Sequence, residues 1–305
     1  MSGPTTPLRL ALIGAGRVGT AVAELLRRRG HVVAGVASRS ADSAHRAADF
    51  LDAEVFDHHA TLPEADVVLL GVPDGEIEDV AGHIAKRVRG VGEPQEIEPC
   101  AVVHFAGASG IEPLTAVLDA GAGAAALHPV QACPDVNSAI ERIPGSAWGV
   151  TTSNGLEAWA TDFVARELRG DPVVVAEEHR PLWHAAATIT SNGIAALLAI
   201  GEGLLSSIQI EAPEKVLGPL AAGTVTNAAT RGGGAATLTG PVVRGEADTI
   251  AAHLERIAGA APELVEDYAR VVRVIVAAAL NARRIDEQTA GRVIKQLEDH
   301  WNHQE

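Results

Sequence analysis

The chain has 305 residues, of which 47% are hydrophobic, so it can bury one or two sizeable cores and divides most naturally into two domains. Its 24 basic and 39 acidic residues give a formal net charge of −15. That charge argues against nucleic acid or an anionic membrane as a partner and favours a dissolved small molecule.

The N-terminal segment Met1–Pro7 leads directly into an apolar run, and we count no apolar run of the ~20 residues needed to cross a membrane. We therefore expect a cytoplasmic protein with no membrane association. Cys100 and Cys133 lack metal-ligand spacing, so we interpret them as buried thiols in a reducing compartment and predict no metal site.

A glycine-rich turn follows the first apolar run, which ends at Ile13, and an amphipathic segment begins directly after Gly16. In such a strand–turn–helix context, Gly14 allows a tight turn, Gly16 lets the backbone approach a pyrophosphate, and Gly19 allows close packing of helix and strand. The helix N-terminus would supply free N–H groups and a favourable dipole. The predicted dinucleotide-binding turn comprises Gly14, Ala15, Gly16, Arg17, Val18 and Gly19.

The end of the second predicted strand indicates which dinucleotide is bound. An NAD-specific fold usually carries Asp or Glu about 20 residues after the glycine turn. This chain has Ser38, Arg39 and Ser40 there. No carboxylate repels a 2′-phosphate, and a guanidinium between two hydroxyls can bind one, although Arg39 could also be an ordinary solvated side chain. We predict NADP as the cofactor.

Strands and helices alternate through the N-terminal half, which predicts an α/β fold with a mostly parallel Rossmann-type sheet covered on both faces. Ligands of such sheets bind beyond the carboxyl ends of the strands. The loops at three strand ends are therefore candidate site walls. They contain Val72, Pro73 and Asp74, then Ala106 and Gly107, and finally His128.

Helical patterns dominate after Glu178. We predict an NADP-binding domain over residues 1–177 and an all-helical substrate or dimerisation domain over residues 178–305. The first helix of the second domain, predicted near Arg180–Ser206, is rich in Ala, Leu and Ile, so we expect it to be mostly buried. Its apolar character also suggests a homodimer formed through helix packing.

Several motifs together resemble a known family. They are Gly14–Gly19, His104-Phe-Ala-Gly107, His128-Pro129-Val130-Gln131, Trp183-His184-Ala-Ala-Ala187 with Ser191-Asn192, and Leu238-Thr239-Gly240-Pro241 with Arg244-Gly245. The chain resembles two-part proteins in which a Rossmann-like NADP-binding domain precedes a helical domain of unassigned function. These are relatives of ketopantoate reductase and pyrroline-5-carboxylate reductase. The resemblance implies an NADP-dependent oxidoreductase and leaves the substrate open.

Three polar residues, His184, Thr188 and Asn192, recur at i, i+4 and i+8, which places them on one face of the predicted helix. The resemblance to ketopantoate reductase implies that His184 stands where a lysine proton donor stands there. Imidazole can act as a general acid near neutrality, and Asn192 could hold a substrate oxygen. The same residues could instead form a polar seam between packed helices.

Two further residues are candidates for the catalytic site. His128 follows a strand end, although a His-Pro turn could simply close the strand. Arg244 could clamp a substrate carboxylate bidentately, or it could pair with Glu246. We interpret the remaining histidines, including His58 and His59, as solvated or structural.

These features predict an NADPH-dependent reductase that delivers hydride to a small 2-oxo acid resembling ketopantoate. A cyclic-imine reductase resembling pyrroline-5-carboxylate reductase and an enzyme resembling prephenate dehydrogenase are alternatives. A non-catalytic NADP-sensing regulator is a further alternative from a different class.

Overall fold

A computed structural model describes residues 6–88 and 101–302, and eight strands within these ranges form one sheet in the order β3-β2-β1-β4-β5-β6-β7-β8. All neighbouring strands pair in parallel except β6 and β7, which are antiparallel. The predicted α/β class and mostly parallel sheet are confirmed. The strands are β1 (Arg9–Ile13), β2 (Val32–Ala37), β3 (Glu54–Val55), β4 (Val67–Leu70), β5 (Ala101–His104), β6 (Gly123–Pro129), β7 (Ala147–Thr152) and β8 (Asp171–Val174).

Alternate side chains of the central strands enter two separate hydrophobic cores. On β1, Leu10 and Leu12 belong to one core, whereas Ala11 and Ile13 belong to the other. Because successive side chains of a strand point to opposite faces, both faces of the sheet are covered, which explains the uninterrupted apolar runs in the sequence. Cys100, which the sequence predicts to be a buried thiol, lies outside the described residues.

The described chain divides into two compact units after Ile189. The first unit holds the sheet, its covering helices and the first part of a long helix, α7. These helices are α1 (Arg17–Arg28), α2 (Ala41–Leu51), α3 (Ile77–Val88), α4 (Thr115–Asp119), α5 (Val136–Arg142), α6 (Glu157–Asp162) and α7 (Arg180–Ser207). A π-helical segment, Phe163–Glu167, continues α6.

The second unit is helical throughout its described residues. Its own core is built on Val242, Leu254, Val272, Val293 and Leu297, among others. Besides the second part of α7, it contains α8 (Pro213–Thr230), α9 (Pro241–Arg244), α10 (Ala247–Ala260), α11 (Val265–Asn281) and α12 (Glu287–Asn302).

Helix α7 does not have the burial that its composition predicted. Arg180 is its one buried residue, while Leu182, Ile189 and Leu197 expose 72%, 73% and 51% of their surface. The expectation of a mostly buried helix is therefore wrong for the single chain. Apolar residues occupy most of the circumference of α7 outside the face of His184, Thr188 and Asn192, so packing along one side leaves other apolar residues uncovered.

The segment Glu177–Ser207 is long and apolar enough to cross a membrane by length and composition, which corrects our count from the sequence. A single helix of this kind does not by itself indicate a membrane protein.

Candidate cofactor and active site

The glycine turn after β1 lies directly against the end of β4. Gly14 has φ +93°, and a Cβ at Gly14 would come within 2.6 Å of the Gly71 and Val72 backbone. A Cβ at Gly16 would lie 2.4 Å from the Gly71 carbonyl oxygen, and one at Gly19 would lie 2.8 Å from Gly71 Cα. All three glycines are therefore required sterically, because each makes room for the same neighbouring residue.

The N-terminus of α1 is suited to bind an anion. Gly16 caps the helix without a side-chain hydrogen bond, and the first turn contains no acidic residue. The first N–H groups of a helix lack intrahelical partners and carry a partial positive charge. This arrangement fits the pyrophosphate of a dinucleotide.

An open cavity of about 640 Å³ lies beside this turn. Its lining includes Gly14, Ser38, Arg39 and Val72, so the proposed ribose-recognition residues and the glycine turn face one space. The Arg39 guanidinium is exposed, and its Nη1 lies 2.6 Å from Glu76 Oε1. The Arg39 side chain can therefore reach the cavity, with part of its charge already countered.

The other predicted cofactor residues have varied surroundings. Ser40 caps α2, since its Oγ accepts a hydrogen bond from Ser43 N at 3.4 Å. The Arg17 side chain turns toward the loop after β6, where Nη1 donates to the Pro134 carbonyl at 3.1 Å. Ala15 and Val18 pack against the first core.

Pro73 and Asp74 lie in the loop after β4, where Asp74 is the first residue of a short 3₁₀ turn and Pro73 directly precedes it.

The loop after β5 is held from several sides by hydrogen bonds, of which those of His104 are buried. The neutral His104 ring accepts from Ala106 N at Nδ1 (3.1 Å) and donates from Nε2 to the Gly110 carbonyl at 2.6 Å. Burial lowers the pKa of His104 to about 4, which fixes the neutral form. Glu177 accepts backbone N–H bonds from Ile111 at 2.8 Å and Glu112 at 3.2 Å.

Arg180, at the start of α7, also holds this loop, and we call the side chains of His104, Glu177 and Arg180 together the clamp. Its guanidinium is fully buried and donates to the carbonyl oxygens of Ala106, Ser109 (3.1 Å) and Gly149 (3.1 Å). Burial lowers the pKa of Arg180 to about 10, and it still remains a cation at neutral pH. The loop carrying Gly107 is thus fixed to β7 and α7.

Gly107 lies against two imidazoles that the sequence separates by 56 positions. A Cβ at Gly107 would be 2.1 Å from His184 Nδ1 and 2.9 Å from His128 Nε2, and the two ring centroids are 5.5 Å apart. His184 Nδ1 is buried and has no hydrogen-bond partner among the described residues. The structure therefore brings both predicted histidines to one place, at the end of β5.

Trp183 fixes the state of His128. The indole Nε1–H donates to His128 Nδ1 at 3.1 Å, so the proton of the neutral ring is on Nε2, on the side of Gly107. Burial, with the nearby Arg180 and His184, lowers the pKa of His128 to about 4. Gly149 makes room for the indole, since a Cβ there would lie 2.7 Å from Trp183 Nε1.

The remaining candidate catalytic residues lie elsewhere. Thr188 is exposed one turn beyond His184 on α7, and Asn192, also exposed, belongs to the second unit. Arg244, in the second unit, pairs bidentately with Glu246 at 2.6 and 2.9 Å. Cys133 is a half-buried free cysteine, and burial raises the pKa of its thiol. No metal-binding cluster occurs among residues 6–88 and 101–302.

Sequence reasoning missed the residues that hold the site together, namely Gly71, Gly149, Glu177 and Arg180. An Arg about one turn before the first residue of a polar helical face forms no recognisable motif. Gly71 was a usable signal for this contact, because a glycine directly after the apolar strand residues 67–70 allows close approach to the glycine turn.

Comparisons with known proteins divide the chain into two matched regions. Residues 4–129 match the model of a Rossmann-like domain, and residues 146–275 match that of a domain of unknown function, DUF2520. The predicted combination of a Rossmann-like domain with a second domain of unassigned function is confirmed. The DUF2520 match begins within the sheet, just before β7, and includes Trp183 and His184. No curated protein matches the chain.

Solved structures share this fold at low sequence identity. A proposed NADP oxidoreductase from Bacteroides fragilis superposes with a TM-score of 0.69 at 23% identity, covering 88% of this chain and 98% of its own. A pyrroline-5-carboxylate reductase from Coxiella burnetii gives 0.57 at 14% identity, with 97% and 99% coverage. A reductive aminase from Aspergillus terreus, in complex with NADPH and ethyl levulinate, gives 0.61 at 16% identity, with 94% and 99% coverage.

Proposed function

We propose that this chain is an NADPH-dependent oxidoreductase that reduces a small molecule at a carbonyl or imine carbon. The observation that carries the proposal is that His128 and His184 meet at Gly107, in the loop after β5. In the sheet, β4 alone separates β5 from β1, which ends at the glycine turn suited to a dinucleotide. Two fold neighbours, a proposed NADP oxidoreductase and a reductive aminase in complex with NADPH, support the same cofactor. When bound, NADPH supplies the hydride.

The residues of the proposed binding site have separate tasks. The backbone N–H groups at the start of α1 hold the pyrophosphate, and Ser38 with Arg39 holds the 2′-phosphate. The clamp made by His104, Glu177 and Arg180 keeps the loop at Gly107 in one conformation, so the reacting groups need little reorganisation.

His184 is our candidate for the proton donor. His128 is held neutral by its low pKa, and a neutral imidazole is a very weak acid, so His128 acts as a hydrogen-bond donor through Nε2–H. His184 has a buried, unpartnered Nδ1 on the same side and can pass a proton to an oxygen that gains negative charge. Asn192 is our candidate for orienting that oxygen, Thr188 lies between them on α7, and Arg244 is our candidate for a substrate carboxylate.

A small 2-oxo acid resembling ketopantoate would use all these groups, because its carbonyl oxygen would take up the proton and its carboxylate would pair with Arg244. A cyclic imine is the second candidate. The pyrroline-5-carboxylate reductase and the reductive aminase among the fold neighbours favour it. We further propose that the protein is cytoplasmic and forms a homodimer.

Oxidation of NADPH, followed by absorbance at 340 nm against 2-oxo acids and cyclic imines, tests this function. We expect turnover with one of the two classes, and the class that responds identifies the reducible bond. Tight NADPH binding without turnover on either class would instead support an NADP sensor. Reduction of NADP with prephenate would support the dehydrogenase alternative.

A further inference from the structure

Three histidines cluster beside the cavity that Arg39 lines, and two of them, His58 and His59, belong to its lining. His58 and His59 follow β3, and their ring centroids are 4.0 Å apart. His83, on α3, lies with its ring 4.6 Å from that of His59 and 6.4 Å from that of His58. His58 and His59 both line the cavity with Ser38 and Arg39. No sequence motif connects this pair with the cofactor.

Binding of a 2′-phosphate in this cavity would require positive charge beyond that of Arg39. A phosphate monoester carries about −1.5 to −2 charges at pH 7. The Arg39 guanidinium is already paired with Glu76 at 2.6 Å, and Asp57 and Asp79 also line the cavity. One partly countered guanidinium therefore faces a nearly dianionic group and several carboxylates.

The groups around His58 and His59 determine whether the imidazoles are protonated and so supply positive charge. Asp57 lies in the same turn, where its carboxylate accepts from His59 N at 3.0 Å. From α3, His83 Nδ1 bonds the Asp79 carbonyl at 2.9 Å, and Arg87 donates to the His59 carbonyl at 2.8 Å. Burial and the nearby His59 lower the pKa of His58. The lowered pKa favours the neutral form of His58 in the free protein, and an anion bound beside the ring would favour its cation.

We propose that His58 and His59 form a proton-dependent part of the 2′-phosphate subsite, taking up a proton when NADPH binds and adding a cationic donor to Arg39. This inference rests on the proposed function, since it requires that the cavity holds the 2′-phosphate of NADP. It makes cofactor discrimination depend on pH: the preference for NADPH over NADH is larger at pH 6 than at pH 8.

Calorimetric titration of NADPH and of NADH, from pH 6 to pH 8 in two buffers of different ionisation enthalpy, measures affinity and proton uptake together. The variant is the double substitution His58→Gln and His59→Gln. His45→Gln is the matched control, because His45 is an exposed histidine of α2 outside the cavity lining. His59→Gln alone changes an exposed residue and serves if the double variant does not fold.

We expect the double variant to bind NADPH about 10-fold more weakly than the wild type at pH 6, with a much smaller difference at pH 8 and none for NADH. The wild type should take up more protons on binding NADPH than the double variant does. The free nucleotide's 2′-phosphate titrates in the same range and is common to both proteins, so the difference in proton uptake reports the imidazoles and their effect on the bound phosphate.

Equal NADPH affinity and equal proton uptake in wild type and variant at every pH would overturn the inference while leaving NADPH binding intact. Equal affinity of the wild type for NADPH and NADH at pH 6 would overturn it as well. If the wild type binds neither nucleotide at any pH, the proposed function itself fails.

Discussion

At the scale of single residues, the two imidazoles at Gly107 differ in their surroundings. His128 is held by the Trp183 indole and kept neutral by burial, while His184 Nδ1 has no partner among the described residues. A hydrogen-bond donor and a proton donor can therefore stand side by side without exchanging roles.

Substitution of His184 by Ala tests this division of roles. Because general acid catalysis contributes about 10²–10⁴-fold, we expect kcat to fall within that range once a substrate is found, while the Kd for NADPH changes by less than about 2-fold. His179→Ala, an exposed histidine just before α7, is the control and should keep full turnover. Full turnover and an unchanged pH profile in His184→Ala would remove His184 from the mechanism.

The buried histidines also predict how stability depends on pH. His104 and His128 both have a pKa of about 4 in the folded protein, below the ordinary value of 6.5. The unfolded chain therefore binds more protons between these values, and the free energy of unfolding should fall as the pH drops from 6.5 toward 4. Each histidine contributes on the order of 3 kcal/mol over this window.

Urea unfolding at pH 7, 6, 5 and 4.5 measures this loss. His104→Gln removes one of the two groups and should flatten the profile by about half, although it lowers stability at pH 7. A profile in the wild type that stays level between pH 6.5 and 4.5 would contradict the assignment of both histidines as neutral.

At the scale of elements, the loop after β5 owes its conformation to a few buried side chains that reach it from β5 and from the region of α7. Arg180→Met keeps the size of the side chain but leaves three buried carbonyl oxygens without their donor. We expect the free energy of unfolding to fall by about 2–5 kcal/mol in chemical denaturation. Arg166→Met is the control, because the Arg166–Asp162 ion pair is exposed and should contribute less than about 1 kcal/mol. Equal effects of the two substitutions would contradict the clamp.

The sequence predicted elements better than it predicted contacts between them. The glycine turn, β1 and α1 lie where the local pattern indicates them, because each depends on neighbouring residues. Apolar spacing over residues 156–168 is typical of one helix, but the structure has α6 followed by a π-helical segment, whose altered hydrogen bonding leaves no mark in apolar spacing. The meeting of His128 with His184 depends on how α7 packs on β7, which local patterns do not encode.

At the scale of the whole molecule, the chain combines a matched Rossmann-like region with a DUF2520 region that begins inside the sheet. Composition predicted a buried α7, yet Leu182 and Ile189 are exposed, as is Leu220 on α8 at 68%. Composition indicates that apolar surface must be covered, but it does not indicate whether the same chain or a second copy covers it.

These exposed side chains give the proposed homodimer a direct test. Sedimentation equilibrium at micromolar concentration should give twice the mass of one chain. Leu220→Lys should lower that mass, whereas Val274→Lys, at a residue equally exposed on α11, is a control for added surface charge. A wild-type mass equal to one chain would contradict the homodimer.

The central claim is that the Gly14–Gly19 turn binds NADPH, and Gly16→Ala tests it most directly. Its added Cβ would lie 2.4 Å from the Gly71 carbonyl oxygen, so it should displace the turn on which the pyrophosphate rests. Gly82→Ala on α3 is the matched control, since a Cβ there meets nothing within 4 Å. The measurement is the Kd for NADPH by fluorescence titration, with thermal unfolding to confirm that both variants fold. We expect wild type and Gly82→Ala to bind NADPH alike and Gly16→Ala to bind it at least about 10-fold more weakly. Equal affinity in all three proteins, or no binding by the wild type, would contradict the claim.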